Sequence, residues 1–143
     1  MFYFVGRCSD CTGNGNGTLV VQNYTLGANF TPQNFVSLSY SSNLLSFAFT
    51  APVNIFQGSL PVNLPAPAAV QIEQFGFRFL RSLSGGSWDA GFSNVGDFGP
   101  TSFWTTSAPP PPGIPAPPSL ILVVTGLTSV GLYEWRRKLA RFR

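Results

Sequence analysis

Seven of the ten residues from 109 to 118 are proline, and proline has no amide donor and a fixed φ, so neither a helix nor a central strand can pass through this stretch. The chain is cut there into two parts that must fold separately. The stretch itself, Pro109-Pro-Pro-Pro112-Gly113-Ile114-Pro-Ala-Pro-Pro118, is expected to run as extended polyproline II, about 3 Å per residue, as a spacer. A Pro-x-x-Pro ligand for an aromatic groove is the competing reading. The apolar segment that follows favours a stalk.

What lies before the prolines has little catalytic chemistry to offer. The 143 residues include no His, and the one Lys, Lys138, is five residues from the end. This removes Ser-His-Asp and Cys-His catalysis, His-ligated metals and a Schiff-base lysine in the body. Charged residues make up 9% of the chain, against about 25% in an average protein. Yet 44% hydrophobic and 15% aromatic content, with fourteen Phe, is enough apolar matter for a core. Binding or structure is therefore expected rather than turnover, with no cofactor and no metal site.

The body, residues 1–108, reads as β throughout. Residues 17–26 and 34–40 have β-branched and aromatic content with partial alternation. Ser41-Ser42-Asn43 supplies turn chemistry before residues 44–50, where Leu45, Phe47 and Phe49 share one face at period two. These last two segments form the best expected hairpin. Phe75, Phe77 and Phe79 repeat the pattern, with Gln74 and Arg78 facing the other way. Shorter strands are expected around 55–60, 87–92 and 102–106. No helix is evident before residue 119. Short strands separated by turn residues predict an all-β fold, an antiparallel β-sandwich or jelly-roll-like body. The full expected order is that body, a proline-rich linker at 109–118, one transmembrane helix at 119–135 and a basic cytoplasmic tail at 136–143.

Charge is partitioned along the chain. Residues 1–118 hold Arg7, Arg78 and Arg81 against Asp10, Glu73, Asp89 and Asp97, whereas residues 119–143 hold Arg136, Arg137, Lys138, Arg141 and Arg143 against Glu134. The body therefore has no basic surface for nucleic acid. The seventeen residues from Ser119 to Trp135 would make about 25 Å of helix, short for a hydrocarbon core of about 30 Å. A buried core helix is the alternative, but it would start at a proline run and end on five cations. Tyr133 and Trp135 sit where interfacial aromatics belong, and the cluster Arg136, Arg137, Lys138, Arg141 and Arg143 places the carboxyl end in the cytoplasm and the body outside. That orientation calls for an export signal. Met1-Phe-Tyr-Phe-Val5 is too short for one and has no basic residue before it, so the expectation is a start further upstream, or a chain cut there.

Pro-x-Pro, a short Gly-containing apolar span and a terminal Arg cluster come in that order here, as Ile114-Pro115-Ala116-Pro117-Pro118-Ser119-Leu120 through Gly131, Tyr133 and Trp135-Arg136-Arg137-Lys138. This layout resembles the PEP-CTERM sorting signal of Gram-negative bacteria, with Pro115, Ala116 and Pro117 as the motif. At Ala116 the family usually carries Glu. The resemblance covers about 30 residues. It implies recognition and removal of the segment by exosortase, a membrane-embedded Cys-dependent transpeptidase. The protein would then reside in the inner membrane before processing and afterwards at the cell surface or in the extracellular matrix, with extracellular polysaccharide as a partner. Cys8-Ser-Asp-Cys11, Thr18-Leu-Val-Val-Gln-Asn-Tyr-Thr-Leu26 and residues 35–45 also look like the β-rich bodies attached to such signals. The alternative is a permanently membrane-anchored carbohydrate-binding or adhesin module outside the inner membrane.

The remaining signals are weaker. Cys8-x-x-Cys11 is the one thiol pair, followed by Thr12-Gly-Asn-Gly-Asn-Gly17 where a thioredoxin-like motif needs a helix. A small-loop disulfide between Cys8 and Cys11 is the reading for an exported protein. Asn16, Asn23 and Asn29 fit the glycosylation pattern, which arises readily by chance in so Asn- and Thr-rich a chain. Glu73, Asp89 and Asp97 are expected in solvent or in turns, Asp97 above all in Gly96-Asp97-Phe98-Gly99. A glycosidase pair among these acids, or a calcium site on Asp89 and Asp97, is the sharper alternative. Trp88, Phe92, Phe98, Phe103 and Trp104 are either core aromatics or a sugar-stacking platform.

Overall fold

The structure, a computed structural model, describes residues 1–109. They form ten strands: β1 (Phe2–Arg7), β2 (Asn14–Val21), β3 (Phe35–Ser41), β4 (Ser46–Thr50), β5 (Ile55–Gly58), β6 (Val70–Gln74), β7 (Arg78–Ser82), β8 (Trp88–Phe92), β9 (Val95–Gly99) and β10 (Thr101–Thr105). A single 3₁₀ turn, Pro32–Asn34, precedes β3. Two five-stranded antiparallel sheets result, in the orders β10-β1-β2-β3-β4 and β5-β6-β7-β8-β9. Each is a meander of consecutive strands, and only β10 crosses back to lie beside β1. This all-β, sandwich-like arrangement lacks the Greek-key connections that define a jelly roll.

Alternation builds the core. On β1, β3 and β4 the buried residues are Phe2 and Phe4, Phe35, Leu38 and Tyr40, and Phe47 and Phe49, while the second sheet contributes Phe56, Val70, Ile72, Leu80, Trp88 and Ala90. Period-two patterning puts each set on one face, with the register shift opposite Val20 and Val21 returning Phe35 to the face of Leu38 and Tyr40, and the two faces close on each other. The contacts of β3 define how the sheets cross. At one end Tyr40 touches Trp88 and bonds Asp97 on β9, and at the other Phe35 packs edge-on to Phe56 on β5. Because β9 and β5 are opposite edges of the second sheet, β3 runs across that sheet rather than along it.

Four hydrogen bonds lock the layers together, three of them from aromatic side chains that carry polar atoms inward. The Tyr40 hydroxyl donates to Asp97 Oδ2 at 2.7 Å, Trp104 Nε1 to Ser82 Oγ at 3.0 Å, Trp88 Nε1 to the Arg7 carbonyl at 3.2 Å, and Ser102 Oγ to the Gly86 carbonyl at 2.7 Å. A buried polar group without a partner is costly, so these bonded atoms are satisfied only when the sheets are in register, and among the described residues Asp97 Oδ1 has no partner even then. Trp88 also needs room. A Cβ on Gly6, Gly15 or Gly99 would collide with its indole ring, so glycines from three strands form its socket.

Three sheet edges are covered by the chain itself. Ala66 exchanges two main-chain bonds with Trp104 on β10, at 3.1 and 2.9 Å. The Cys8–Cys11 loop covers β9: Ser9 N–H donates to the Phe98 carbonyl at 2.8 Å, and Phe98 N–H to Asp10 Oδ1 at 3.0 Å. Phe30 N–H reaches the Gly58 carbonyl on β5 at 2.8 Å. Edge strands expose unpaired backbone groups, and such contacts blunt them.

The hairpin expected at residues 34–50 is present as β3 and β4, with Leu45, Phe47 and Phe49 buried. The Phe75, Phe77 and Phe79 stripe is not one face. Phe75 and Gly76 turn the chain at φ 52° and 75°, leaving Phe75 and Phe77 exposed, and Leu80 and Ser82 fill the inner positions of β7. Asp97 is likewise not a solvated turn residue: it is 1% exposed on the inner face of β9. Phe2 to Val5, set aside as too short for an export signal, belongs to β1. The expected linker beyond Pro109, the transmembrane helix and the basic tail lie outside the described residues. Among the described residues no helix is long and apolar enough to cross a membrane.

Burial, together with the bond to and the charge of Asp97, pushes the Tyr40 hydroxyl far above its ordinary value of 10.0. A group whose pKa is raised by folding contributes stability below its unfolded pKa and loses it as pH rises. Unfolding free energy should therefore fall above about pH 10 as Tyr40 ionises in the unfolded chain alone. Replacing Tyr40 by Phe should remove that component of the slope. It should also cost about 3 kcal/mol at neutral pH, the upper range for orphaning a buried acceptor, since Asp97 Oδ2 loses its donor. Urea titrations of both proteins from pH 7 to 11 measure both effects.

Candidate functional site

The two outer faces differ in chemistry. On the first sheet, Asn16, Thr18, Ser37, Ser39, Ser41, Ser46 and Thr50 give an uncharged hydroxyl and amide surface, with Tyr3 and Phe103 as aromatics. A hollow of about 440 Å³ lies there, bounded by Tyr3, Asn16, Thr18, Ser39, Ser46 and Pro109. On the second sheet the pairing register aligns two cross-strand rows. Gln57, Gln71, Arg81, Asp89 and Phe98 form one, and Ile55, Glu73, Phe79, Gly91 and Gly96 the other. Period-two alternation turns both rows outward while Val70, Ile72, Leu80 and Ala90 face the core.

Arg81 is the centre of this second face. Its Nη2 lies 3.7 Å from Glu73 Oε2 and its Nη1 3.7 Å from Asp89 Oδ2. Its guanidinium also covers the Phe79 ring at 4.7 Å. Half-exposed ion pairs of this kind add little stability, so their value is in fixing a planar donor group over an aromatic. Phe79 in turn leans on a bare backbone. A Cβ on Gly91 would sit 2.5 Å from the ring, and Gly96 is the next residue in that row. The missing side chain at Gly91 thus leaves room for the Phe79 ring to lie against the β8 backbone. Burial raises the pKa of Asp89 and Arg81 lowers it, with the net direction upward.

At the β5 side the face opens into a cleft of about 530 Å³ lined by Asn29, Gln57, Gly58, Gln71, Arg81 and Leu83. Gln57 Nε2 donates to Gln71 Oε1 at 2.8 Å. Each carboxamide keeps further capacity, an acceptor on Gln57 and two donors on Gln71, directed by the bond they share. Convergent carboxamides and a fixed guanidinium suit a neutral polyhydroxylated ligand, which offers alternating donors and acceptors.

The residues singled out in the sequence are distributed as follows. Glu73 and Asp89 share the second outer face with Arg81 between them, and Asp97 is on the opposite side of the sheet. These three acids are therefore not one constellation. Among the described residues no group of three or more metal-ligating side chains assembles. Trp88 and Trp104 are core residues, whereas Phe92, Phe98 and Phe103 are exposed. Phe98 joins the Arg81 row, Phe103 belongs to the first sheet, and Phe92 lies under the Arg78 guanidinium at 5.0 Å. Cys8 and Cys11 are joined in a disulfide within the loop that covers β9. Pro115, Ala116 and Pro117, and Arg136, Arg137, Lys138, Arg141 and Arg143, lie outside the described residues. Sequence reading did not select Gln57, Gln71 or Phe79 for this face. The parity of Gln71, Glu73, Phe79 and Arg81 within two strands was the available signal, but it needed the turn at Phe75 and Gly76 to be placed correctly.

No family model matches the chain, and neither a search of curated proteins nor one of solved structures finds a match.

If this face binds a neutral polysaccharide, replacing Arg81 or Phe79 by Ala should weaken retention on it by at least about tenfold, the loss of about 1.4 kcal/mol. Stability should change by less than about 1 kcal/mol for Arg81→Ala, as for an exposed ion pair. Affinity electrophoresis through polysaccharide-containing gels, with a thermal melt of each variant, measures both quantities.

Proposed function

We propose that this chain is an exported bacterial protein of the cell surface or extracellular matrix, sorted through a carboxyl-terminal PEP-CTERM-like signal that exosortase recognises and cleaves. The observation that carries the reading is the ordered series of Pro115-Ala116-Pro117, an apolar run and the terminal cluster from Arg136 to Arg143. The body is compatible with such processing. Among the described residues the core is built between Phe2 and Trp104, so cleavage between Pro115 and Ser119 would leave all of it on the released part. The Cys8–Cys11 disulfide suits an oxidising compartment outside the cytoplasm. The role is structural or binding, without catalysis, cofactor or nucleic acid, and the inner membrane is a station before processing.

A second reading is favoured by the cleft beside Arg81. Here the segment 119–135 is a permanent anchor, and the body is a carbohydrate-binding or adhesin module held outside the inner membrane.

Intact mass of the protein recovered from envelope and medium fractions of an exosortase-bearing bacterium separates the two. A species ending between Pro115 and Ser119 outside the cell is the expected result. Full-length protein confined to the inner membrane would sink the sorting proposal and leave the anchored module. Ala116→Glu, which restores the residue usual in the resembled motif, should raise the cleaved fraction. An Ala116→Glu protein processed no better than the parent would mean that this position does not govern recognition.

A further inference from the structure

Among the described residues the fourth sheet edge, β4, is the one that no loop covers. Among the described residues, β10, β9 and β5 each receive a main-chain bond from a loop, whereas β4 receives only the Gln74 side-chain amide on its last carbonyl, Thr50 C=O, at 3.2 Å. The bonds from Ser42 N–H to the Leu45 carbonyl at 2.8 Å and from Ala51 N–H to the Val36 carbonyl at 3.2 Å fix the alternation along β4. In an antiparallel pair the bonded residues alternate. The main-chain groups of Phe47 and Phe49 therefore face β3, and those of Ser46, Ala48 and Thr50 face outward.

Natural edge strands are usually protected by charge, proline or a bulge. β4 has none of these. It carries no Lys and no Pro, its register against β3 is regular, and no charged residue occurs anywhere between Asp10 and Glu73. Its sequence is also nearly symmetric about the centre, Ser46-Phe47-Ala48-Phe49-Thr50. A twofold axis through Ala48 would set Ala48 opposite Ala48 of a second copy, Ser46 opposite Thr50, and Phe47 opposite Phe49. Small polar residues would then meet on the outer face and phenyl rings at the rim of the core, where Phe47 and Phe49 retain 7% and 6% exposure.

We propose that β4 pairs antiparallel with β4 of a second copy of this chain, joining the two first sheets edge to edge across Ala48. The occupant is a second copy because the strand's symmetry makes it its own complement, as an isologous interface requires. The outward N–H groups of Ser46, Ala48 and Thr50 find the outward carbonyls of Thr50, Ala48 and Ser46, respectively. Thr50 C=O can accept this bond as well as that of Gln74, since a carbonyl has two lone pairs. No side chain must leave the core and no charge must be desolvated. Association should consequently be insensitive to salt.

Sedimentation velocity of the full-length chain in mild detergent, over a range of concentrations, is the first test, with a shift from one to two chain masses expected. Ala48→Lys should hold the protein at one mass, because the two ammonium groups would face each other across the axis. Thr18→Lys, on the same face but on β2, should still dimerise. Residue-resolved amide exchange provides a readout that does not depend on a variant folding. Ser46, Ala48 and Thr50 amides should exchange more slowly as concentration rises, with Phe47 and Phe49 unchanged. A single chain mass at every concentration would overturn the pairing, as would a dimer that survives Ala48→Lys. Equal loss on Thr18→Lys, or slowing spread over the whole outer face, would replace edge pairing by face stacking.

Discussion

The fit of one indole between two sheets governs the rest of this fold. Trp88 occupies the space that side chains on Gly6, Gly15 and Gly99 would fill, and its ring packs edge-on to Phe4 at 5.2 Å while its Nε1 reaches the Arg7 carbonyl. Two strands of the first sheet, β1 and β2, and β9 beside Trp88 in its own sheet therefore approach closely at one point to admit one large ring. Close-packed interiors transmit such constraints. With Trp88 seated, Tyr40 is placed to bond Asp97, and the remainder of β3 passes across the second sheet toward Phe56. The layer arrangement thus follows from a size match, a large residue against three absent side chains, supported by polar bonds that form only at that crossing.

That arrangement leaves two outer faces free, and they bear different chemistry. The first sheet is uncharged on β2, β3, β4 and β10 and rich in hydroxyls. The second gathers Glu73, Arg81 and Asp89 around a phenyl ring above bare glycine backbone. A body with few charges needs its binding capacity from hydroxyls, carboxamides and rings, and this is what the two faces hold. The covering of β10, β9 and β5 by neighbouring loops prevents indiscriminate strand addition along those edges. Among the described residues the β4 edge is the one left without such a loop, adjacent to a surface of small residues.

Much of the local structure was legible in the residues. Leu45, Phe47 and Phe49 declare a strand with one buried face, and Ser41-Ser42-Asn43 declares the turn before it. β1 and β9 were harder. Phe2 to Val5 is a continuous apolar and aromatic run without alternation in hydropathy, so it carries no facial signal. Val95 to Gly99 is composed mostly of residues that favour turns, and it is a strand because β8 and the Cys8–Cys11 loop bond both its sides. Asp97 was unreadable for the same reason. Its burial depends on Tyr40, 57 residues away. The Phe75, Phe77 and Phe79 stripe failed because a periodic pattern does not reveal a turn inside it, and positive φ at Phe75 is unusual for a bulky residue.

The sequence alone determined the division of this chain: a low-charge β body without His or Lys, a proline stretch that no helix or sheet can traverse, and an apolar run ending in cations. Those are properties of composition and order, and they act locally through backbone donors, hydropathy and charge. Which glycines make a socket, which acid is buried, which carboxamides share a cleft and which strand is left at an open edge were decided by tertiary structure. Each depends on strands distant in sequence meeting at a defined register, and a shift of one residue would exchange the inner face of a strand for its outer one.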